Sequence, residues 1–175
     1  MGLGELGLDA ALKLKTLGFQ VHGWSRSEKN IEGIQSYWGA DNLDAFLGVS
    51  DILVNLLPLT NETAGILCTG LFEKLPKNGA MKTVVINAGR GGSQVEADII
   101  KALDNGLLGG VSLDVFESEP LSKESRLWDI DNAILTPHIA AISSMPALAA
   151  YTIGMIKSYE NGEGLDNLVD QLRGY

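Results

Sequence analysis

The stretch Gly2-Leu3-Gly4-Glu5-Leu6-Gly7 (GLGELG) decides how the rest of this chain is read. Three glycines at that spacing suit a tight turn that cradles a dinucleotide pyrophosphate. Gly2 permits the turn, Gly4 lets the backbone approach the pyrophosphate, and Gly7 lets the following helix pack closely. Glu5 and Leu6 lie inside the turn, where a helix N-terminus offers free N–H groups and a positive dipole end to phosphates. With 21 glycines in the chain the bare pattern is easily matched by chance, so its context matters. A helix follows, with Leu6, Ala10, Leu14 and Leu17 at helical spacing and Gly18 as its stop. Then comes a short strand, FQVHGW, from Phe19 to Trp24.

Strand and helix patterns alternate outward from there. DILVNLL (Asp51 to Leu57) is nearly all apolar, as a strand covered on both faces should be. TVVINA (Thr83 to Ala88) reads the same way, and GGVSLDV (Gly109 to Val115) and AILT (Ala133 to Thr136) complete the set. Between them the clearest helix runs from Gln94 to Asp104, with a capping box of Ser93 and Glu96 and with Gly106 after its end. A last helix runs from Met145 to Tyr159, entered through Ser144 and Pro146. Such alternation predicts an α/β, Rossmann-type doubly wound parallel sheet. The turn lacks the strand that should feed it, so the sheet is expected without its first strand. The boundaries expected are 1–143 for a dinucleotide-binding domain and 144–175 for a C-terminal helix and tail.

Composition narrows the function classes. The net charge is −9, and the 13 basic residues form no stripe, which disfavours nucleic acid as a partner. No apolar stretch is long enough to span a bilayer, and no signal peptide is expected. A lone Cys68 fits a reducing compartment, so the expected location is cytoplasmic. One Cys and two His, far apart, offer no zinc spacing, and no metal is expected.

The end of the first strand carries Trp24-Ser25-Arg26-Ser27. An NAD site usually places an acidic residue there for the ribose hydroxyls. Ser hydroxyls and an Arg guanidinium suit a 2′-phosphate instead, which favours NADPH over NADH. The same residues also read as a solvated turn.

Three further fragments end predicted strands, where open α/β sheets bind ligands. They are NAGRGG, LDVFESEP and TPHIAA, and they hold Arg90, Glu119 and His138. Singly, each reads as a surface charge, a turn residue or an exposed ring. Together they suit reduction of a 2-keto acid. Arg90 clamps the carboxylate, His138 protonates the carbonyl oxygen, and Glu119 orients the imidazole.

These motifs resemble the D-2-hydroxyacid dehydrogenases, and within them the bacterial NADPH-preferring glyoxylate/hydroxypyruvate reductases. The likeness extends through WSRS, NLLPLTNET, LFEKLP, NAGRG, LDVFESEPL, LWDIDNAILTPHIAA and the closing RGY. It implies Arg90, Glu119 and His138 as the catalytic set, with Glu119 rather than Glu117 chosen by the E-P motif. It implies that LLPLT, with Leu57 and Pro58, lines the nicotinamide ribose, and that Thr63 also binds the cofactor. Asn87, Ala88 and Gly89 would also contact the cofactor, and Asp114 would lie near the carboxamide. It implies a homodimer. Family members also carry a substrate lobe ahead of the glycine turn, so the chain is expected to be the cofactor-binding portion of a longer reductase, cut or mis-started at Met1. Two other readings stand beside it: a β-hydroxyacid dehydrogenase, and an inactive or partner-dependent dinucleotide-binding fragment.

Overall fold

The computed structural model describes residues 1–77 and 81–170. The closing RGY motif (Arg173 to Tyr175) lies outside the described residues. Two compact units divide after His138.

The first unit is a parallel α/β structure. Helix α1 (Glu5–Thr16) leads into strands β1 (His22–Ser25) and β2 (Gln35–Trp38), which pair in parallel. Short helix α2 (Leu43–Leu47) precedes β3 (Ile52–Asn55), and short α3 (Thr69–Phe72) precedes β4 (Val84–Asn87). Helix α4 (Glu96–Asp104), β5 (Gly110–Leu113) and β6 (Ala133–Leu135) complete it. The second sheet has the order β3-β4-β5-β6, all parallel. Leu53, Val85, Val111 and Leu113 are buried at its centre against Phe72, Leu67, Ile99 and Leu108. Each such side chain contributes about 1.5–3 kcal/mol by leaving water.

The described strands form two separate sheets, β1-β2 and β3-β4-β5-β6, and Met1 and Gly2 stand between them. The Met1 amine donates to Val54 O at 2.7 Å, Met1 O accepts from Leu56 N, and Gly2 N donates to Trp24 O at 2.8 Å. These three bonds do along two residues what a central strand does along its whole length.

The structure corrects several local expectations. In α1 the buried face is Gly7 and Ala11, with Leu3 just ahead of the helix; Leu6 and Leu17 are exposed. Small residues face the sheet because the helix lies close to it. The Ser93–Glu96 capping box does not form. Val95 is the N-cap of α4, and Ser93 turns inward. The first turn of α4 is satisfied across the fold instead. Glu96 N donates to Glu117 Oε1 at 2.6 Å, and Glu117 N donates to Glu96 Oε1 at 2.8 Å. Strand β2 goes unread in the sequence because Gln35-Ser36-Tyr37-Trp38 is a polar edge strand with no buried face to impose alternation.

The second unit carries α5 (Met145–Glu160), with Ser144 as N-cap and Pro146 in its first turn as expected. No described helix is long and apolar enough to cross a membrane.

Candidate active site

All strand pairings are parallel, so the loops after β3, β4, β5 and β6 emerge on one edge of the sheet. Main-chain bonds step from each to the next. Ala88 N donates to Asn55 O, Asp114 N to Asn87 O, and His138 N to Asp114 O at 2.8 Å. This staircase sets the ends of β3, β4, β5 and β6 side by side.

The glycine turn has the form that a pyrophosphate requires. Gly2 has φ +87°, and a Cβ there would press on Leu56 O. A Cβ on Gly7 would overlap the Gly2 carbonyl, so helix and turn touch only because residue 7 is glycine. A Cβ on Gly4 would meet nothing within 4 Å. Gly4 therefore owes its place to nothing within the protein, and it caps a helix of 12 residues whose first N–H groups are open to an anion. Glu5 and Leu6 are exposed beside it. The cradle fits a dinucleotide phosphate. Gly7→Ala is expected to destabilise the fold by about 1–3 kcal/mol through overlap. Gly4→Ala should leave melting almost unchanged while weakening dinucleotide binding. Thermal melts and a binding titration of both variants check the contrast.

At the end of β1, Ser25 is buried and its hydroxyl donates to Ser27 O at 2.8 Å, which shapes the turn that exposes Arg26 and Ser27. Trp24 packs in the core, with its indole Nε1 donating to Gly39 O. Asn87 is likewise fully buried, with both ends of its amide engaged inside the protein. The side chains of Trp24 and Asn87 are therefore occupied as structural supports.

After β3, Leu57 and Thr63 are buried. Thr63 Oγ1 donates to Pro58 O at 2.6 Å and accepts from Thr60 N, which fixes the LLPLT loop. Gly89 accommodates Leu57 O at a distance that a Cβ would press, so the loops after β3 and β4 run in contact, with Ala88 between. Asp114 Oδ1 accepts from Thr136 Oγ1 at 2.6 Å, tying β5 to β6.

The decisive contact is His138 Nδ1 to Glu119 Oε2 at 2.9 Å. The two side chains remain 49% and 38% exposed, open to a ligand. Glu119 Oε1 also accepts from Phe116 N. The imidazole hydrogen bond, helped by that N–H, holds the Glu119 carboxyl below the usual carboxylate range. His138 sits at φ +54°, a left-handed conformation that costs a non-glycine residue about 1–3 kcal/mol. Its N–H bonds to Asp114 O and Thr136 O hold it there. A cavity of about 360 Å³ adjoins the pair, walled mainly by Phe116, Leu121, Trp128, Leu135 and Pro137. Arg90 forms no ion pair with either residue. It is exposed at the end of β4, with Nη1 folded onto Gly89 O at 2.8 Å. Glu117 is engaged at the N-terminus of α4, and this separates it from Glu119. Among the described residues no group of three or more His, Cys, Asp or Glu could hold a metal ion.

Residues 1–140 match the family described as D-isomer specific 2-hydroxyacid dehydrogenase, NAD binding domain. The chain belongs to this family. Among solved structures of such dehydrogenases, it resembles the NADPH-dependent glyoxylate/hydroxypyruvate reductase of Sinorhizobium meliloti in complex with NADP and sulfate. The TM-score is 0.95 at 56% identity, covering 100% of this chain and 55% of that one. A probable 2-hydroxyacid dehydrogenase of Rhizobium etli, in complex with NADP, HEPES and L(+)-tartaric acid, gives a TM-score of 0.95 at 52% identity with the same coverage. Glyoxylate/hydroxypyruvate reductase A of Salmonella paratyphi B is 43% identical over the whole chain. The chain spans about half (55%) of the length of that relative.

Sequence reasoning missed Asn55, Ser93 and Gln94, which are buried beneath the Arg90 loop. Their only signal was polarity at the end of an apolar strand and in the turn that follows the next one.

Proposed function

We propose that this chain is the cofactor-binding portion of an NADPH-dependent reductase of small 2-keto acids such as glyoxylate and hydroxypyruvate. The observation that carries the reading is the His138–Glu119 pair on the sheet edge that also bears the glycine turn. Solved relatives are bound to NADP, which supports the choice of cofactor. The cofactor supplies hydride. His138 is placed to donate a proton to the carbonyl oxygen of the substrate, and Glu119 keeps Nδ1 occupied so that the other ring nitrogen faces substrate. Arg90 leaves Gly89 O to clamp the substrate carboxylate with paired N–H donors. Gly2, Gly4 and Gly7 seat the pyrophosphate, and Arg26 with Ser27 reads the 2′-phosphate. Leu57, Pro58, Thr63, Ala88 and Gly89 shape the nicotinamide side, with Asp114 near the carboxamide.

A homodimer in the cytoplasm is part of the same reading, from the family resemblance and the lone Cys68. The break in the sheet favours a second reading, a binding module without turnover in this chain.

A fluorescence titration with NADPH and with NADH tests the cofactor assignment. Arg26→Ala is expected to weaken NADPH by about 10–100-fold, the loss of one charge-assisted contact, and to leave NADH unchanged. Equal loss for both cofactors would remove Arg26 as the phosphate reader. Saturable NADPH binding with no glyoxylate reduction would favour the binding module.

A further inference from the structure

Four polar side chains lie behind the Arg90 loop with almost no exposure: Asn55, Asn87 and Ser93 at 0% and Gln94 at 2%. Buried polar groups destabilise a fold unless each finds a partner. Here the partners form one connected set. Asn55 Nδ2 donates to Asn87 Oδ1 at 3.0 Å and to Ser93 Oγ at 2.9 Å. Asn87 Nδ2 donates to Gln94 Oε1 at 2.7 Å, and Gln94 Nε2 donates to Val115 O at 2.9 Å. Ser93 Oγ donates to Arg90 O at 2.6 Å, and Asn87 Oδ1 accepts from Gly89 N at 3.1 Å. The set joins the ends of β3, β4 and β5. Three of its bonds end on the main chain at Gly89 and Arg90, on either side of the Arg90 Cα: Gly89 N donates to Asn87 Oδ1, and Arg90 O accepts from Ser93 Oγ and, at 3.3 Å, from Asn87 Nδ2.

We propose that Ser93, backed by Asn55, Asn87 and Gln94, is a positioning residue that fixes the Arg90 main chain so that its guanidinium meets the carboxylate of a 2-keto acid. This rests on the functional reading above. An arginine side chain is long and flexible. If its Cα also wandered, a two-point grip on a carboxylate would demand more ordering at the moment of binding. A fixed Cα removes that part of the cost before substrate arrives. The location supports this role over general bracing. At the opposite end of β4, among the described residues, the buried Thr83 hydroxyl donates to Ser50 O at 3.2 Å and to no side-chain set of this kind.

The test uses the whole 175-residue chain with NADPH and glyoxylate, and oxalate as a non-reacting probe of the NADPH-loaded protein. Ser93→Ala is expected to raise the glyoxylate KM and the oxalate Kd about tenfold, the worth of one hydrogen bond, with NADPH Kd unchanged. Ser93→Thr, which keeps the hydroxyl, should restore both constants. Thr83→Val should lower the melting temperature without moving either. If Ser93→Ala fails to fold, Gln94→Met removes the bonds to Asn87 and Val115 and should show the same split. Variants that melt lower while keeping wild-type KM and oxalate Kd would overturn the positioning role. A wild-type chain that binds NADPH but neither reduces glyoxylate nor binds oxalate removes the functional reading itself, and the inference with it. The wild-type control separates that failure from the first.

Discussion

His138→Gln is expected to slow NADPH-dependent glyoxylate reduction by about 10²–10⁴-fold, the usual contribution of a positioned general acid, with NADPH affinity unchanged. A glutamine amide can fill much of the imidazole's space, but it has no proton to release at neutral pH. Glu119 can still accept a bond from it, so the loss isolates proton transfer from loop position. The backbone adds a second effect that must be separated. Residue 138 has φ +54°, where His and Asn are better tolerated than Gln. His138→Asn should therefore lose the same rate while retaining more stability. Steady-state turnover, NADPH titration and melting curves on both variants decide the matter. Turnover that survives in both would show that another group supplies the proton.

The second large effect is on stability against pH. Met1 is almost completely buried between β1 and β3, and its amine donates to Val54 O. Burial disfavours the charged form and lowers the amine pKa from 8.0 to about 5. The folded amine is neutral above about pH 5, while the unfolded amine is neutral only above about pH 8. Between those values the unfolded chain binds more protons, so stability rises with pH. Three pH units at about 1.4 kcal/mol each give a loss approaching 4 kcal/mol on acidification from pH 8 to pH 5. Urea unfolding of the 175-residue chain with Met1 retained, followed across that range, should show this slope. Acetylation of the α-amine should remove it. A flat profile in the unmodified chain would mean that the amine reaches water in the folded state. Glu119 works at the other end of the scale. Its lowered pKa contributes stability above the usual carboxylate pKa that is lost as pH falls through the folded value, and its exposure keeps that contribution small.

Much of the fold was legible because its signals are local. β3, β4 and β5 fall inside the apolar runs read from sequence, trimmed by a residue or more at both ends, and β6 starts where its run does and stops one residue short. Apolar runs mark a strand's burial, but hydrogen-bond partners set its length. The stop of α4 was legible too, since Gly106 has φ +70° and glycine is the residue suited to it. The capping box failed because Ser93 had a stronger claim elsewhere. Its hydroxyl is held by the Arg90 carbonyl and the Asn55 amide, and Glu117 from a distant loop serves the helix instead. The Asn55 and Glu117 bonds each join residues more than twenty positions apart, so no short window along the chain contains both partners of either.

The sequence by itself determined the glycine turn, the alternation of strands and helices, the parallel sheet and the residue types that end each strand. Those follow from backbone freedom, hydrophobic period and chain order. Only the tertiary structure decided which polar groups face one another. It brought Glu119 to His138, turned Glu117 to α4, left Arg90 resting on Gly89, and closed the buried amide set beneath it. A hydrogen bond is worth having only within about 3 Å and in the right direction. Residues many positions apart meet that condition only once the sheet has stacked their strand ends along one edge.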